Sequence, residues 1–310
     1  MRTIRHGFLS KVLYIVTNDV RETAIYNEGR KRTRGLSSVL LTDEQNKRVK
    51  LMAYESEKIA ELVAELEQLA KDTDATKLII YAKKADIPTF TTFGYQQEGT
   101  IDGFYNGANA HMLCRYTTQE RATSAEPQTA DEIVTASLAR QSTESVKAKE
   151  LPTGYVLTEA TEADAVELAQ LYGIVFPVYP TPMNDPAYVK KTMQASTYYS
   201  VIRAEGKIVC AASAEVDPQF GSAEMTDCAT HPDYLGKGLL QPVMIALEEK
   251  MEAMGIYFLY TLTRAQSAGM NITAAKQGYH YRGRLINNCT IVSGYEDMNI
   301  WVKPLRETHD

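Results

Sequence analysis

The sequence has no long hydrophobic run, few cysteines and one tryptophan. No stretch reaches the roughly 18 consecutive apolar residues of a membrane-spanning helix, so we expect no membrane association. The apolar stretch nearest the start, residues 12–16, is too short for a secretion signal, so we expect a cytoplasmic protein. The four cysteines lack the close spacings of zinc or redox sites and are too few for a disulfide scaffold. We therefore expect reduced thiols and no bound metal.

Positive charge is also in deficit. The chain carries 33 Lys and Arg against 39 Asp and Glu, a net charge of -6. A field of this sign repels polyanions, which argues against nucleic acid as the main partner. A hydrophobic content of 44% is ordinary for a folded globular protein, and 310 residues are enough for two domains.

A polar segment divides the chain. Residues 117–150 are rich in Ser, Thr, Ala, Glu and Gln, and they form the best candidate for a linker between domains at 1–116 and 151–310. A short helix around Asp131 to Arg140 would make this joint semi-rigid. The first domain is predicted to be mixed α/β, with a helix over Ser56 to Lys71 and strands at Val12 to Thr17, Val39 to Leu41, Lys50 to Tyr54 and Leu78 to Ala82.

The second domain has a longer and better punctuated pattern. Its predicted order is β, α, α, β, β, β, α, β, α, β, β, with a proline-rich loop between the first two helices. The predicted bounds are Tyr155 to Thr158, Ala163 to Phe176, Ala187 to Ala195, Tyr198 to Ala204, Lys207 to Val216, Ala223 to Thr230, Gly238 to Met254, Tyr257 to Thr263, Ala268 to Lys276, Tyr279 to Val292 and Met298 to Lys303.

A glycine loop between a strand and a helix suggests the chemistry. The segment HPDYLGKGLL, residues 231–240, resembles the acetyl-CoA pyrophosphate loop of the GNAT N-acetyltransferases. Glycines let backbone amides close on a diphosphate, and the helix start adds a positive dipole end. The segment departs from the family pattern at Leu235, where Arg or Gln is usual, and at Leu240, where Gly or Ala is usual. The resemblance implies a GNAT fold of the α+β class, with a mixed, mostly antiparallel sheet and helices on both faces.

Three further stretches resemble the β-lysine N-acetyltransferases in particular. They are FPVYPTPMNDPAYV from Phe176, AEMTDCATHPDYLGKGLLQPVM from Ala223, and a C-terminal set that includes GMN at 269–271, NN at 287–288 and MNIW at 298–301. The resemblance covers most of residues 155–305. It implies transfer of acetyl from acetyl-CoA to the ε-amine of β-lysine, giving Nε-acetyl-β-lysine, a compatible solute. Acetylation of another small amine, or a non-catalytic protein that senses acyl-CoA, are the alternatives.

An amine must lose a proton before it attacks a thioester, so a general base is needed. Glu224 lies early in the strand before the glycine loop, in a position that resembles the base-bearing strand of histone-type GNATs. Burial in a covered sheet would raise its pKa toward the useful range. Asp227 is the rival, and strand alternation predicts that its side chain lies on the opposite face from Glu224. The usual GNAT acid, a tyrosine, falls at Ala274, so Tyr260, Tyr279, Tyr281 or water would have to replace it.

The resemblance also assigns binding residues. The backbone near Cys228 is expected to hold the thioester carbonyl, where the strand splays from its neighbour; Cys228 itself is interpreted as a buried thiol and not as a nucleophile. The expected acetyl-CoA site comprises Cys228, Ala229, Thr230, Leu235, Gly236, Lys237, Gly238, Leu239 and Leu240. For the substrate we expect Arg264 to bind the carboxylate, Asp185, Asn271, Asn288 and Glu296 to bind the amines, and Tyr179 to lie in a proline-rich lid.

The first domain contains an echo of the second. The segment FGYQQEGTI, residues 93–101, repeats the Gly, Tyr and Gly spacing of QGYHYRGRL, residues 277–285. This spacing suggests that residues 1–116 form a truncated GNAT-like domain that has lost its glycine loop. Such a half would serve in homodimer formation or would cover the active site.

Overall fold

The computed structural model describes residues 38–142, 150–177, 179, 181–291 and 294–309, and the backbone of three short strands before them. These strands are β1 (Val12–Leu13), β2 (Thr23–Tyr26) and β3 (Arg30–Thr33). Of the predicted strand Val12 to Thr17, only the first two residues are described; the rest lies outside the described part of the chain.

The first half of the chain folds as predicted around one amphipathic helix, but it also has a hairpin that we did not predict. Its elements are β4 (Val39–Asp43), β5 (Arg48–Ala53), α1 (Ile59–Asp72), β6 (Lys77–Ala82), α2 (Ile87–Thr92), β7 (Gln96–Tyr105) and β8 (Ala108–Tyr116). The hairpin of β7 and β8 turns at Asn106-Gly107, where both residues have positive φ. Asn-Gly is the strongest short signal for such a turn, so the sequence did contain the information.

The second half follows the predicted order in full. After α3 (Gln119–Ala122) and α4 (Pro127–Leu138) come β9 (Tyr155–Glu159), α5 (Ala165–Val175), α6 (Pro186–Gln194), β10 (Thr197–Ala204), β11 (Lys207–Asp217), β12 (Ser222–Thr230), α7 (Leu240–Ala253), β13 (Phe258–Arg264), α8 (Ala268–Lys276), β14 (His280–Ile291) and β15 (Gly294–Pro304). The helix after the glycine loop begins at Leu240 and not at Gly238, because Gly236 and Gly238 have positive φ.

In the part of the chain that the structure describes, thirteen strands form one continuous sheet in the order β1-β4-β5-β6-β8-β7-β14-β15-β13-β12-β11-β10-β9. Two pairs are parallel, β5 with β6 and β12 with β13, and the others are antiparallel. Helices α7 and α8 pack on one face of the second half and α5 and α6 on the opposite face, in separate hydrophobic clusters. The predicted mixed sheet with helices on both faces is confirmed.

The two halves have the same strand order, and they join through equivalent strands. In each half, two strands form an antiparallel pair, and the second of them pairs in parallel with a third strand. One helix precedes that third strand, and another helix and two antiparallel strands follow it. The order β4-β5-α1-β6-α2-β7-β8 therefore matches β11-β12-α7-β13-α8-β14-β15. At the junction Gly99 of β7 lies opposite Gly283 of β14. These are the two glycines that correspond in the sequence echo. A Cβ on Gly99 would lie 2.6 Å from Ile300 Cδ1 and 2.8 Å from the carbonyl oxygen of Arg282, so the close approach of the strands requires glycine.

The polar segment between the halves contacts both of them. Arg121 of α3 is buried and donates to the carbonyl oxygens of Asn46 at 2.7 Å and of Asn287 at 2.8 Å. Helix α4 packs on α8, and Asp131 of α4 forms an ion pair with Arg284 at 2.8 Å. These contacts hold the described part of this segment against both halves.

Candidate active site

A cavity of about 320 Å³ lies where the first half meets the second. Its walls come from β4 and β5 of the first half and from α6, β11, β12, β13 and β14 of the second, together with the loop before α6. The ionisable side chains that line it are Asp43, Arg48, Lys50, Glu215, Glu224, Asp227 and Arg264, with the tyrosines Tyr179, Tyr188 and Tyr199 and the thiols Cys228 and Cys289. The first half therefore forms one wall of the site.

Glu224 lies on β12 directly opposite Glu215 of β11 and beside Tyr260 of β13. Its carboxyl group lines the cavity. Burial raises its pKa, the nearby Glu215 raises it further, and Lys50 partly opposes both, so that the pKa is about 7. A carboxylate with this pKa can accept a proton at neutral pH.

Asp227 lines the same cavity, so our prediction that it faces away from Glu224 was wrong. The reason is a β-bulge. Ser213 pairs with Thr226 and Ala211 pairs with Ala229, which leaves Asp227 and Cys228 opposite one residue, and Asp227 has a φ of 50°. A bulge adds one residue and breaks the alternation of side chains.

The Asp227 carboxylate accepts hydrogen bonds from Ser213 Oγ at 2.6 Å and from Tyr179 OH at 3.1 Å. Burial raises its pKa to about 6 although both hydrogen bonds oppose the rise. Asp227 is thus held in place by two neighbours, whereas no hydrogen-bond partner fixes Glu224 within the described residues.

Strands β12 and β13 part beside Glu224, as expected of the thioester site. They pair only from Ser222 to Glu224 and from Phe258 to Tyr260, although β12 continues to Thr230 and β13 to Arg264. Cys228 lies in the parted section and lines the cavity, while Ala229 and Thr230 follow it on β12 without lining it. Burial raises the pKa of the Cys228 thiol well above its ordinary value, which keeps the group neutral.

The glycine loop leaves space for a bound group. Gly236 and Gly238 have φ of 76° and 73°, and a Cβ built on either would meet nothing within 4 Å. Helix α7 begins just after them with no side chain capping its first turn, so its first N–H groups are available to an anion. Of the other predicted loop residues, Leu235 and Lys237 are exposed, Leu240 is half-buried, and Leu239 packs in the core.

Tyr179, which we predicted as part of a lid, lines the cavity. Its ring stacks on Phe176 with centroids 4.5 Å apart, and its carbonyl oxygen accepts a hydrogen bond from Gln45 of the first half at 3.3 Å. Its neighbours Val178 and Pro180 lie outside the described residues.

Arg264, predicted to bind the carboxylate, and Glu296, predicted to bind the amines, contact each other in the structure. Arg264 lines the cavity but donates two hydrogen bonds to Glu296, at 2.8 Å and 2.7 Å, and its side chain is 46% exposed. The two side chains therefore satisfy each other, so Arg264 does not supply an unpaired cation and Glu296 does not supply an unpaired acceptor.

Two other predicted amine ligands serve the fold. Asp185 is exposed and caps α6 by accepting a hydrogen bond from the N–H of Ala187 at 2.9 Å. Asn271 is fully buried, and its Oδ1 accepts from Thr263, Asn299 and Trp301 at 2.8, 2.8 and 2.9 Å. The GMN and MNIW motifs thus form one hydrogen-bonded cluster that joins α8, β13 and β15.

Asn288 is the predicted amine ligand that the structure brings to the cavity. It is 1% exposed and lines the cavity, and its Oδ1 has no hydrogen-bond partner among the residues that the structure describes. A buried acceptor without a partner is costly, which makes this atom available to a bound donor.

Our three tyrosine candidates for the general acid do not line the cavity. Tyr260 and Tyr279 are buried in the core, Tyr281 packs on Trp301, and Ala274 is a core residue. The water alternative is the one that this arrangement leaves open.

Sequence reasoning missed the residues that the first half contributes. Arg48 and Lys50 alternate with the buried Val49 and Leu51 on β5, so both face the cavity. Arg48 donates to Asp43 Oδ2 at 2.8 Å and to the carbonyl oxygen of Asn288 at 3.0 Å. Burial and the charge of Arg48 lower the pKa of Lys50 to about 8. The sequence did contain a signal for this, because Arg48 and Lys50 are cations at alternate positions of a buried strand.

Within the described ranges, no group of three or more His, Cys, Asp or Glu side chains is arranged to hold a metal ion. In that same part of the chain, no helix has the length and apolar character needed to cross a membrane.

Comparison with known proteins agrees with this geometry. The model of the acetyltransferase (GNAT) family matches residues 165–279. The N-acetyltransferase YodP of Bacillus subtilis is 37% identical over 274 residues, which cover 88% of this chain and 98% of that protein. The β-lysine N(6)-acetyltransferase of Methanosarcina mazei is 37% identical over 79% of this chain and 97% of its own length. The β-lysine N(6)-acetyltransferase of Methanococcus maripaludis is 31% identical over 86% of this chain and 96% of its own length. The chain belongs to the GNAT family and is an acetyl-CoA-dependent N-acetyltransferase.

Proposed function

We propose that this enzyme transfers the acetyl group of acetyl-CoA to the ε-amine of β-lysine, giving Nε-acetyl-β-lysine. The observation that carries the proposal is a cavity in which carboxylates of raised pKa, Glu224 and Asp227, lie with a cation, Lys50. Such a cavity suits a small substrate with both amino and carboxylate groups. Two relatives that share most of their length with this chain are named for the same reaction.

Glu224 is proposed as the general base. The ε-amine has an ordinary pKa near ~10.4 and is almost wholly protonated at neutral pH. Glu224 takes one proton from the ammonium, and the neutral nitrogen forms a bond to the thioester carbonyl carbon. The C–S bond then breaks as the nitrogen loses a second proton. The products are the amide and free coenzyme A, whose sulfur takes up a proton. Asp227 is the rival base, and its bonds to Ser213 and Tyr179 favour an orienting role instead.

Acetyl-CoA supplies the activated acetyl group, and two parts of the chain are proposed to hold it. Gly236, Gly238 and the first turn of α7 would bind the diphosphate through backbone N–H groups. The parted edge of β12 at Cys228, Ala229 and Thr230 would bind the pantetheine chain and stabilise the negative charge that develops on the carbonyl oxygen. The remaining loop residues, Leu235, Lys237, Leu239 and Leu240, would shape this site.

The organisation of the chain fits the same proposal. We propose that residues 1–116 form a truncated GNAT-like half, that 117–150 connect the halves, and that 151–310 carry the catalysis; the matching strand order supports this division. The first half lines the cavity, which favours its predicted role in covering the site. The homodimer stays a prediction. The four cysteines are free thiols, and we propose that the enzyme works in the cytoplasm, where thiols stay reduced.

A panel of amines with mass analysis of the products tests the substrate. The panel contains β-lysine, lysine, cadaverine, spermidine and an aminoglycoside, each with acetyl-CoA, and thiol release gives the rate. We expect β-lysine to have the highest kcat/KM and the product to carry one acetyl group on the ε-nitrogen. A faster reaction with spermidine or cadaverine would contradict the assignment and would favour the alternative of a general small-amine acetyltransferase.

A further inference from the structure

Three cations line the cavity, and they differ in what they already bind. Arg48 is paired with Asp43, and Arg264 is paired with Glu296. The Lys50 ammonium has no hydrogen bond or ion pair within the part of the chain that the structure describes. Lys50 is thus the cation in this cavity that can meet a negatively charged group from outside the protein.

We propose that Lys50 binds the carboxylate of the amino-acid substrate, so that the first half of the chain sets the substrate specificity of the catalytic half. The inference rests on the proposed function, because it assumes that the substrate carries a carboxylate. It gives the non-catalytic half a chemical role in the site.

The position of Lys50 supports this role. Lys50 and Arg48 lie two residues apart on the same face of β5, and Arg48 contacts the backbone of Asn288 across the cavity wall. Asn288 Oδ1 is the buried acceptor without a partner. Lys50 from β5 and Asn288 from β14 line the same cavity, so the head group of a β-amino acid can meet a cation and an amide there, with the carboxylate at Lys50 and the β-ammonium at Asn288.

Glu224 lies at the same cavity and is close enough to Lys50 for each charge to shift the pKa of the other. A substrate whose head group is held at the β5 wall would extend its other amine away from that wall, toward β12. This arrangement explains how one of two amines is selected. It also offers a competing explanation for Lys50, namely that it only tunes the pKa of Glu224, and the experiment must separate the two.

The decarboxylated form of β-lysine, 1,4-diaminopentane, is the matched probe because it keeps both amines and lacks the carboxylate. We expect the wild type to have a kcat/KM for β-lysine far above that for 1,4-diaminopentane. Lys50→Met should reduce this ratio by roughly 10- to 100-fold, the effect of removing a hydrogen bond to a charged group. Lys50→Arg keeps the charge and should retain more of the ratio than Lys50→Met does.

Lys71→Met is the matched control, since Lys71 is an exposed lysine of the same half on α1. It should leave the ratio unchanged. Thermal unfolding and calorimetric acetyl-CoA binding verify that each variant is folded with an intact cofactor site.

Equal losses for both substrates in Lys50→Met would overturn the inference, because they would show that Lys50 acts through Glu224. An unchanged ratio would overturn it as well. If the wild type acetylates a different amino acid, the proposed function fails while the inference is tested with that amino acid and its decarboxylated form. If the preferred substrate has no carboxylate, both fail.

Discussion

Glu224→Gln separates the proposed base from its rival because it removes the proton acceptor and keeps the shape of the side chain. With a pKa of about 7, Glu224 is half ionised at neutral pH. At one pH unit below neutral, only about a tenth of the Glu224 carboxyl groups are ionised, and the protonated form cannot accept a proton. The wild-type kcat/KM should therefore rise with pH, nearly tenfold per unit at low pH, and flatten above pH 7.

The expected loss for Glu224→Gln at pH 7 is on the order of 10²- to 10⁴-fold in turnover, the usual contribution of a general base. Without the carboxylate, the rate depends on the fraction of substrate that is already neutral. That fraction increases tenfold per pH unit up to the pKa of the amine, near ~10.4, so the bend at pH 7 should disappear and activity should recover toward higher pH.

The assay is thiol release from about pH 5 to pH 9.5 with saturating acetyl-CoA, for the wild type, Glu224→Gln and Asp227→Asn. Glu252→Gln, at an exposed position of α7, is the control. Binding of acetyl-CoA to each variant is measured by calorimetry and should be unchanged. If Asp227→Asn loses the bend while Glu224→Gln behaves like the wild type, the base is Asp227 and our assignment is refuted.

Three further predictions concern the loop, the junction and the rim of the cavity. Gly238→Val should weaken acetyl-CoA binding in calorimetry, because a side chain would enter open space beside the backbone amides and disfavour the φ of 73°; unchanged affinity in a folded variant would contradict the loop assignment. Gly283→Ala should lower the free energy of unfolding by about 1–3 kcal/mol more than Gly206→Ala does, as measured by denaturant unfolding. Both glycines have positive φ, but only a Cβ on Gly283, at the junction, would collide with a neighbouring strand. Arg264→Ala should retain the preference for β-lysine over 1,4-diaminopentane, since Arg264 is already paired with Glu296. Loss of that preference in competition assays would show that Arg264 binds the substrate carboxylate.

Local patterns predicted most of the elements in the second half. Helix α8 has the predicted bounds, and the apolar spacing of α1 places Ile59, Leu62 and Leu66 in the core as expected. These predictions succeed because each depends on periodicity within a single element. The element order likewise predicted that the glycine loop lies between a strand and a helix, here β12 and α7.

Side-chain placement at the site was harder to predict. The facing of Asp227 depends on a bulge, and nothing in a period-two pattern reveals an extra residue. Asn271 belongs to a recognisable motif, but a motif does not say whether its polar atoms face a ligand or other buried atoms. Lys50 reaches the cavity through the pairing of strands far apart in the chain, so only the assembled sheet reveals it.

The shared junction of β7 and β14 has a consequence for how the enzyme can be dissected. A fragment of residues 151–310 would expose the edge of β14 that now meets β7, with backbone groups left to pair with other molecules. It would also lose the buried ammonium of Lys77, which donates to the carbonyl oxygen of Ile286 at 2.6 Å. Truncation to residues 151–310 would therefore leave an exposed strand edge that favours aggregation and a cavity that lacks the wall formed by the first half. Enzyme engineering on this scaffold has to retain both halves.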